Sequence, residues 1–140
     1  MKILLAADGS PFTQKALEFI TARENLLIEG DELLVVNVQA PVPGRVTTML
    51  GSAEVASYYA EEATKVLAPI QTFLENHTVR HRCMSVVGHV VDEIIFAAKK
   101  EHAEIIVMGT HGHGWLGRAV MGSIAQRVVT DSDIPVLLVK

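Results

Sequence analysis

The feature that most restricts what this chain can fold into is the repeated return of short, branched apolar runs separated by stretches of helical length. Lys2 to Asp8, Leu33 to Val38, Ile105 to Met108 and Pro135 to Val139 read as apolar without alternation, the pattern of strands covered on both faces. Val79 to Val87 is diluted by His81, Arg82 and Ser85 and reads as a strand in an edge or half-exposed position. The spacers read as helices. Ser10 is a good N-cap and Pro11 suits the first helical position, so a first helix is expected from there to about Leu27, with Ala16, Leu17, Ile20 and Leu27 facing the core and Gly30 ending it. Gln39 to Gly44 carries two prolines and continues no regular element. Ser52 is expected to cap a second helix through Ala56, Ala60, Ala63 and Leu67, with a kink or break at Pro69 before Ile70, Phe73 and Leu74 resume the apolar face. Val90, Val91, Ile94, Ile95 and Ala98 recur at helical spacing to about Glu101, opposite a polar face of Asp92, Lys99 and Lys100. A short last helix is expected from about Ser123 to Thr130.

Strands joined by crossovers of helical length pair in parallel, with right-handed connections. The expectation is therefore an α/β fold: a single-domain, doubly wound, five-stranded parallel sheet with helices on both faces, Rossmann-like, spanning residues 1–140. Such sheets bind ligands outside the carboxyl ends of the strands where the winding reverses, which directs attention to Asp8, Val38 and Gly109.

Composition agrees with one domain. A chain of 140 residues with about half of them apolar buries enough surface for a core without disulfide or metal staples, and it is neither disordered nor collagen-like. The lone Cys83 cannot form an internal disulfide and reads as a small buried thiol, which fits a reducing compartment. The amino-terminal apolar run stops at Asp8, too short for a signal-peptide core, and charges recur too often for a membrane-spanning helix. A soluble, cytoplasmic protein is expected. The formal net charge of -4 gives no general attraction to nucleic acid.

The most informative segment follows the fourth apolar run. Five glycines (Gly109, Gly112, Gly114, Gly117, Gly122) fall in fourteen positions between a strand and a helix. Glycine removes the Cβ that would keep a phosphate from backbone N–H groups, and the helix starting near Ser123 adds a positive dipole end. No Asp or Glu lies between Ile105 and Thr130, whereas His111, His113, Arg118 and Arg127 do. Such a stretch suits an anion, and the alternative is a surface loop whose glycines serve turns only. Gly112 to Gly117 satisfies G-x-G-x-x-G, but a dinucleotide fingerprint belongs after the first strand and needs an acidic residue further on. Gly117 to Ser123 lacks the lysine of a P-loop. His111 and His113 fall short of the ligand number of a zinc site.

The third pattern is Gly109-x2-Gly112-x9-Gly122-Ser123, and with it the chain resembles the universal stress protein family, whose ATP-binding branch carries G-x2-G-x9-G-[ST]. The resemblance extends over essentially the whole chain, through Asp8-Gly9-Ser10, Val36-Asn37-Val38, Gly88 and Pro135 to Val139. It implies that Asp8 and Val38 contact ribose and adenine, that Ala6, Ala7, Met108 and Gly109 border the pocket, and that His111, Gly112, Gly122, Ser123 and the Ile124 N–H lie at the phosphates. The family pattern often carries proline or valine near the position of Ala6. The implied ligand is ATP or another adenine nucleotide with Mg²⁺ or Mn²⁺, and the implied assembly is a homodimer through the last strand, Pro135 to Val139.

No residue outside the loop looks placed to orient a nucleophile at a γ-phosphate, so hydrolysis is expected to be slow at most. The function expected is nucleotide-dependent regulation of a stress response, with occupancy ordering Pro41 to Gly51 and His111 to Met121 for an unidentified regulatory protein. The alternative is an interaction module of the same fold that needs no nucleotide.

Overall fold

A computed structural model describes residues 1–23, 26–112 and 121–140. Five strands, β1 (Lys2–Ala6), β2 (Glu32–Gln39), β3 (His81–Val87), β4 (Ile105–Gly109) and β5 (Val136–Val139), form one sheet in the order β3-β2-β1-β4-β5. Every neighbouring pair is parallel, with Leu4 opposite both Leu34 and Ile106. β3 lies at one edge, as its mixed composition predicted. The helices are α1 (Pro11–Thr21), α2 (Gly44–Leu50), α3 (Ser52–Asn76), α4 (Val90–Lys100) and α5 (Ser123–Asp131).

Each central strand supplies two cores because its side chains alternate between two covered faces. Ile3, Leu5, Leu33, Val35 and Val107 meet Leu17 and Ile20 of α1 and Ile70 and Leu74 of α3 on one face. Leu4, Leu34, Val36, Ile106 and Met108 meet Val91, Ile94 and Ala98 of α4 and Ala125 and Val128 of α5 on the other. Winding thus runs β1 to β3 on one side of the sheet, then reverses across β1 to β4. The carboxyl ends of β1 and β4 flank the reversal point, where a crevice opens in such a sheet.

Three expectations about helices need correction. The first helix ends at Thr21 rather than Leu27, and Gly30 lies well beyond its end. The Thr21 hydroxyl donates back to the Leu17 carbonyl at 2.9 Å, and Asp31 secures the turn that follows by accepting from the Ile28 N–H at 3.0 Å. Leu26 and Leu27 still pack on the core from that turn, which is why their spacing imitates a longer helix. Second, Pro41 and Pro43 are followed at once by a helix, α2, which buries none of its residues. Third, α3 runs through Pro69 without a break, and its N-cap is Gly51 rather than Ser52. Pro69 faces solvent while Val66, Ile70 and Leu74 press the helix onto the sheet on either side of it. The carbonyl bond that proline forfeits therefore lies on the water side, and packing holds the helix across the gap.

At the opposite end of the sheet, charged pairs tie strands to α4. Arg82 reaches Glu32 at 3.2 Å and Glu101 at 2.6 Å, and Lys2 approaches the same two carboxylates. The hydrogen bond from Arg82 holds the Glu101 carboxyl below the usual glutamate range. Cys83 is half-buried against the first core rather than fully enclosed, and burial pushes its thiol pKa up, away from reactivity. Among the described residues no helix is long and apolar enough to cross a membrane.

Candidate functional site

A cleft opens at the reversal point. Its two halves differ in chemistry. The apolar half is made by Val36 and Val38 at the end of β2, Met108 of β4, Val90 and Ile94 of α4, and Ile124 and Ala125 of α5. The polar half is made by Asp8 and Thr13 after β1, and by Thr110, His111 and Gly112 after β4. An apolar slot that ends at a carboxylate and a glycine turn suits a flat, uncharged ring joined to a polyhydroxylated, anionic tail.

Asp8 is oriented by the turn that starts α1. Gly9 adopts φ +76°, which lets the chain double back. Asp8 Oδ1 then accepts from the Ser10 N–H at 2.9 Å and from the Thr13 hydroxyl at 2.9 Å, while Thr13 Oγ1 accepts from the Asp8 N–H at 3.1 Å. Ser10 occupies the N-cap position of α1, but its hydroxyl makes no capping bond and is buried without a partner. Asp8 instead ties the entry to the helix together, through the Ser10 N–H and the Thr13 hydroxyl. Its other oxygen, Oδ2, faces Gly112: a Cβ built there would lie 2.6 Å from it. Gly109 meets Phe12 as closely, so a side chain at 109 would collide with the Phe12 Cβ. His111 tilts against the Phe12 ring at 5.1 Å between centroids, and its Nδ1 is 2.9 Å from Thr110 Oγ1.

Gly122 closes the loop from the other side. Its N–H donates to the Thr110 carbonyl at 2.8 Å, and a Cβ at 122 would lie 3.1 Å from that oxygen. It is also the N-cap of α5, which has no acidic residue in its first turn, so the N–H groups there have no acceptor within the helix. Behind the cleft, buried Asn37 donates to the Ala7 carbonyl at 3.0 Å and holds the end of β1 in place.

Of the residues singled out from sequence, Ala6, Ala7, Asp8, Val38, Met108, Gly109, His111, Gly112 and Ile124 line this one cleft. Gly122 and Ser123 do not line it; they stand at the start of α5, with Ser123 exposed. His113, Gly114, Trp115, Gly117 and Arg118 lie outside the described residues. Sequence reasoning missed Thr13, Val36, Val90, Ile94, Thr110 and Ala125. Thr13 had a signal, since a hydroxyl in the first turn of the helix after a strand-end carboxylate is within reach of it. Val90 and Ile94 were read as core alone, and nothing in their spacing says that the core face of α4 continues into an open cleft. Among the described residues no group of three His, Cys, Asp or Glu is placed to hold a metal ion.

Comparison with known proteins adds a family. The sequence model of the universal stress protein family matches residues 1–140. A Thermus aquaticus universal stress protein, named for its place in the QAH/OAS sulfhydrylase 3′ region, is 36% identical over 141 residues, covering 99% of this chain and 97% of the relative. Universal stress protein MJ0577 of Methanocaldococcus jannaschii is 31% identical over 152 residues. The solved MJ0577 structure superposes with a TM-score of 0.85, covering 99% of this chain and 94% of that one. The Archaeoglobus fulgidus universal stress protein, solved in complex with dAMP, matches with a TM-score of 0.70 at 22% identity, over 100% of this chain and 98% of that one.

Proposed function

The chain belongs to the universal stress protein family, and from that premise we propose that it binds ATP or another adenine nucleotide in the cleft between β1 and β4 and acts as a nucleotide-dependent regulator. The observation that carries the reading is the close approach of Gly112 to Asp8 Oδ2 beside an apolar slot. Where a carboxylate and a glycine backbone meet at the mouth of an apolar cleft, ribose hydroxyls have an acceptor, the base has a dry wall, and the phosphates have unobstructed N–H groups. Proteins of this fold solved with dAMP and with AMP agree with that choice of ligand.

In this reading Val38 and Met108 wall the adenine, with Ala6 and Ala7 at its edge, and Asp8 accepts from the ribose. Thr13 holds Asp8 in place. Gly109, His111 and Gly112 lead the chain to the phosphates, and Gly122, Ser123 and the Ile124 N–H receive them at the positive end of α5. Mg²⁺ or Mn²⁺ would neutralise the phosphates as their counter-ion. On this reading hydrolysis is slow at most. Residues 1–140 are read as one such domain, working in the cytoplasm as a homodimer paired through β5, whose position at the sheet edge and half-buried Val136, Leu137 and Leu138 support that pairing.

Calorimetric titration of nucleotide-free protein with ATP, with and without Mg²⁺, tests the reading. Saturable binding that competes with AMP supports it. Folded, empty protein that takes up neither nucleotide overturns it in favour of an interaction module that works without ligand.

A further inference from the structure

The segment between β2 and α3 forms a second concavity, away from the cleft. Val42, Val46, Leu50, Val55 and Tyr58 supply an apolar floor between α2 and α3, and Glu54 and Glu61 stand in its walls. What distinguishes it is that α2 buries no residue fully: Leu50, its last residue, is 57% exposed, and Met49 before it is 83% exposed. Tyr58 presents its ring from α3 at 48% exposure. A short helix that keeps its apolar side chains in water is stabilised by nothing on that side, yet this one is fixed at its entrance, where the Val42 N–H donates to the Tyr59 hydroxyl at 2.8 Å. Apolar side chains held open in this way mark an interaction surface.

Charge says what kind of surface it is. Across residues 42–62 the carboxylates Glu54, Glu61 and Glu62 outnumber Arg45, the one cation in that stretch, which does not line the groove. Glu62 is paired with Lys65 at 2.9 Å, while Glu54 and Glu61 face the groove itself. Two helices with an apolar trough between them and carboxylates on its walls complement a third helix with an apolar stripe flanked by lysine or arginine. Tyr58 in the lining suits such a role, since it offers a large area with a polar tip. We propose that the groove between α2 and α3 docks a basic amphipathic helix of a partner protein.

The test uses the full chain without nucleotide. An amphipathic peptide of about 18 residues, or roughly five helical turns, built from Leu and Lys only, is titrated by fluorescence anisotropy, with its Leu/Glu counterpart beside it, and the contact surface is mapped by amide chemical shifts. The expected result is saturable binding of the Lys peptide, weakened by salt, with shifts clustered on Val42 to Glu61. Leu50→Asp weakens it about tenfold, as loss of a central apolar anchor does. The double reversal Glu54→Lys/Glu61→Lys weakens it about tenfold and admits the Glu peptide, whereas Asp133→Lys, the same kind of charge change at an exposed site on another face, leaves both affinities unchanged. Shifts elsewhere, or equal effects of Asp133→Lys and the double reversal, would mean that any acidic surface attracts the peptide and would overturn the proposal. Self-association lost in Leu50→Asp would overturn it too, by assigning the groove to a second copy of the chain. The groove is tested apart from the cleft, so failure here leaves the nucleotide reading standing, and the reverse holds as well.

Discussion

Gly112→Ala puts the proposed nucleotide cleft to its sharpest test, because its cost comes from one atom. The added Cβ would sit 2.6 Å from Asp8 Oδ2, roughly 0.8 Å inside ordinary van der Waals contact. Asp8 cannot simply swing aside, since Oδ1 is held by the Ser10 N–H and the Thr13 hydroxyl, each at 2.9 Å. Relief therefore requires giving up one of those charge-assisted bonds, at about 1.5 kcal/mol for a carboxylate that is solvent-exposed. The backbone at 112 is not in the left-handed region, so alanine brings no conformational strain and, with the clash absent, would stabilise the chain by about 0.4–1 kcal/mol through the unfolded state. The sign of the substitution should thus depend on Asp8. In the wild-type background urea denaturation should show a net loss of about 0.5–1 kcal/mol, and ATP affinity should fall about tenfold as Asp8 is displaced from the ribose. In an Asp8→Ala background the same substitution should be neutral or stabilising. A double-mutant cycle reads the coupling directly. An unchanged penalty in the Asp8→Ala background would refute the contact, and unchanged ATP affinity in Gly112→Ala would refute the placement of the sugar.

Thr13→Val keeps the volume of a buried side chain but removes the hydroxyl that both donates to Asp8 Oδ1 and accepts from the Asp8 N–H; it should cost about 1–2 kcal/mol in denaturation and weaken ATP binding while leaving the far-ultraviolet spectrum unchanged. Gly122→Val adds a branched side chain 3.1 Å from the Thr110 carbonyl, at the proposed phosphate end, and should abolish ATP binding more completely than it affects adenosine binding. Ile106→Ala empties a fully buried site between β1 and β5 and should destabilise by about 2–5 kcal/mol. Glu101 is held below its ordinary pKa of 4.5 chiefly by the hydrogen bond from Arg82; a depressed carboxylate contributes stability that is present above its unfolded pKa and lost as pH falls through the folded one, so Glu101→Gln should flatten the acid side of the stability profile below about pH 4.5. Superimposable pH profiles for the two proteins would count against that pair.

The sheet was legible because its strands are buried on both faces. Runs such as Leu33 to Val36 leave no helical alternative of sensible length, and helical spacers leave only parallel pairing, so the parallel sheet and the exposed character of β3 followed from pattern, whereas the strand order β3-β2-β1-β4-β5 came from the structure. The helix ends were not legible, and each error has its own cause. Leu26 and Leu27 bury apolar surface from a turn, so hydrophobic spacing overstated α1; that turn is held by the Asp31 carboxylate accepting from the Ile28 N–H, a contact that depends on tertiary geometry. Pro69 misled in the opposite direction, because local breaking power was outweighed by Ile70 and Leu74 clamped beneath it. α2 could not be read from an apolar face, since among the described residues it buries none of its side chains fully.

The site was legible where chemistry stands at a strand end and illegible where it belongs to a helix. Asp8, Val38 and Gly109 were found because a doubly wound sheet gathers its strand ends around one reversal point, whatever the intervening sequence. Val90, Ile94 and Ala125 obey the same amphipathic rule as residues that never see a ligand. Val90 and Ile94 carry the core face of α4 on into the cleft wall. Gly122 and Ser123 show the complementary case: the family resemblance assigned them to the phosphates, and they stand at the start of α5, outside the cleft lining and joined to it by the Gly122 N–H bond to the Thr110 carbonyl. A ligand that engages both sets must therefore be long, with a ring among Val38, Met108 and Ile94 and its charge carried to the helix terminus. A nucleoside alone would reach only the first set, so the drop in affinity from ATP to adenosine measures how much of the site lies at α5. If adenosine bound as tightly as ATP, the glycines at 109, 112 and 122 would be serving the turn and not the phosphates.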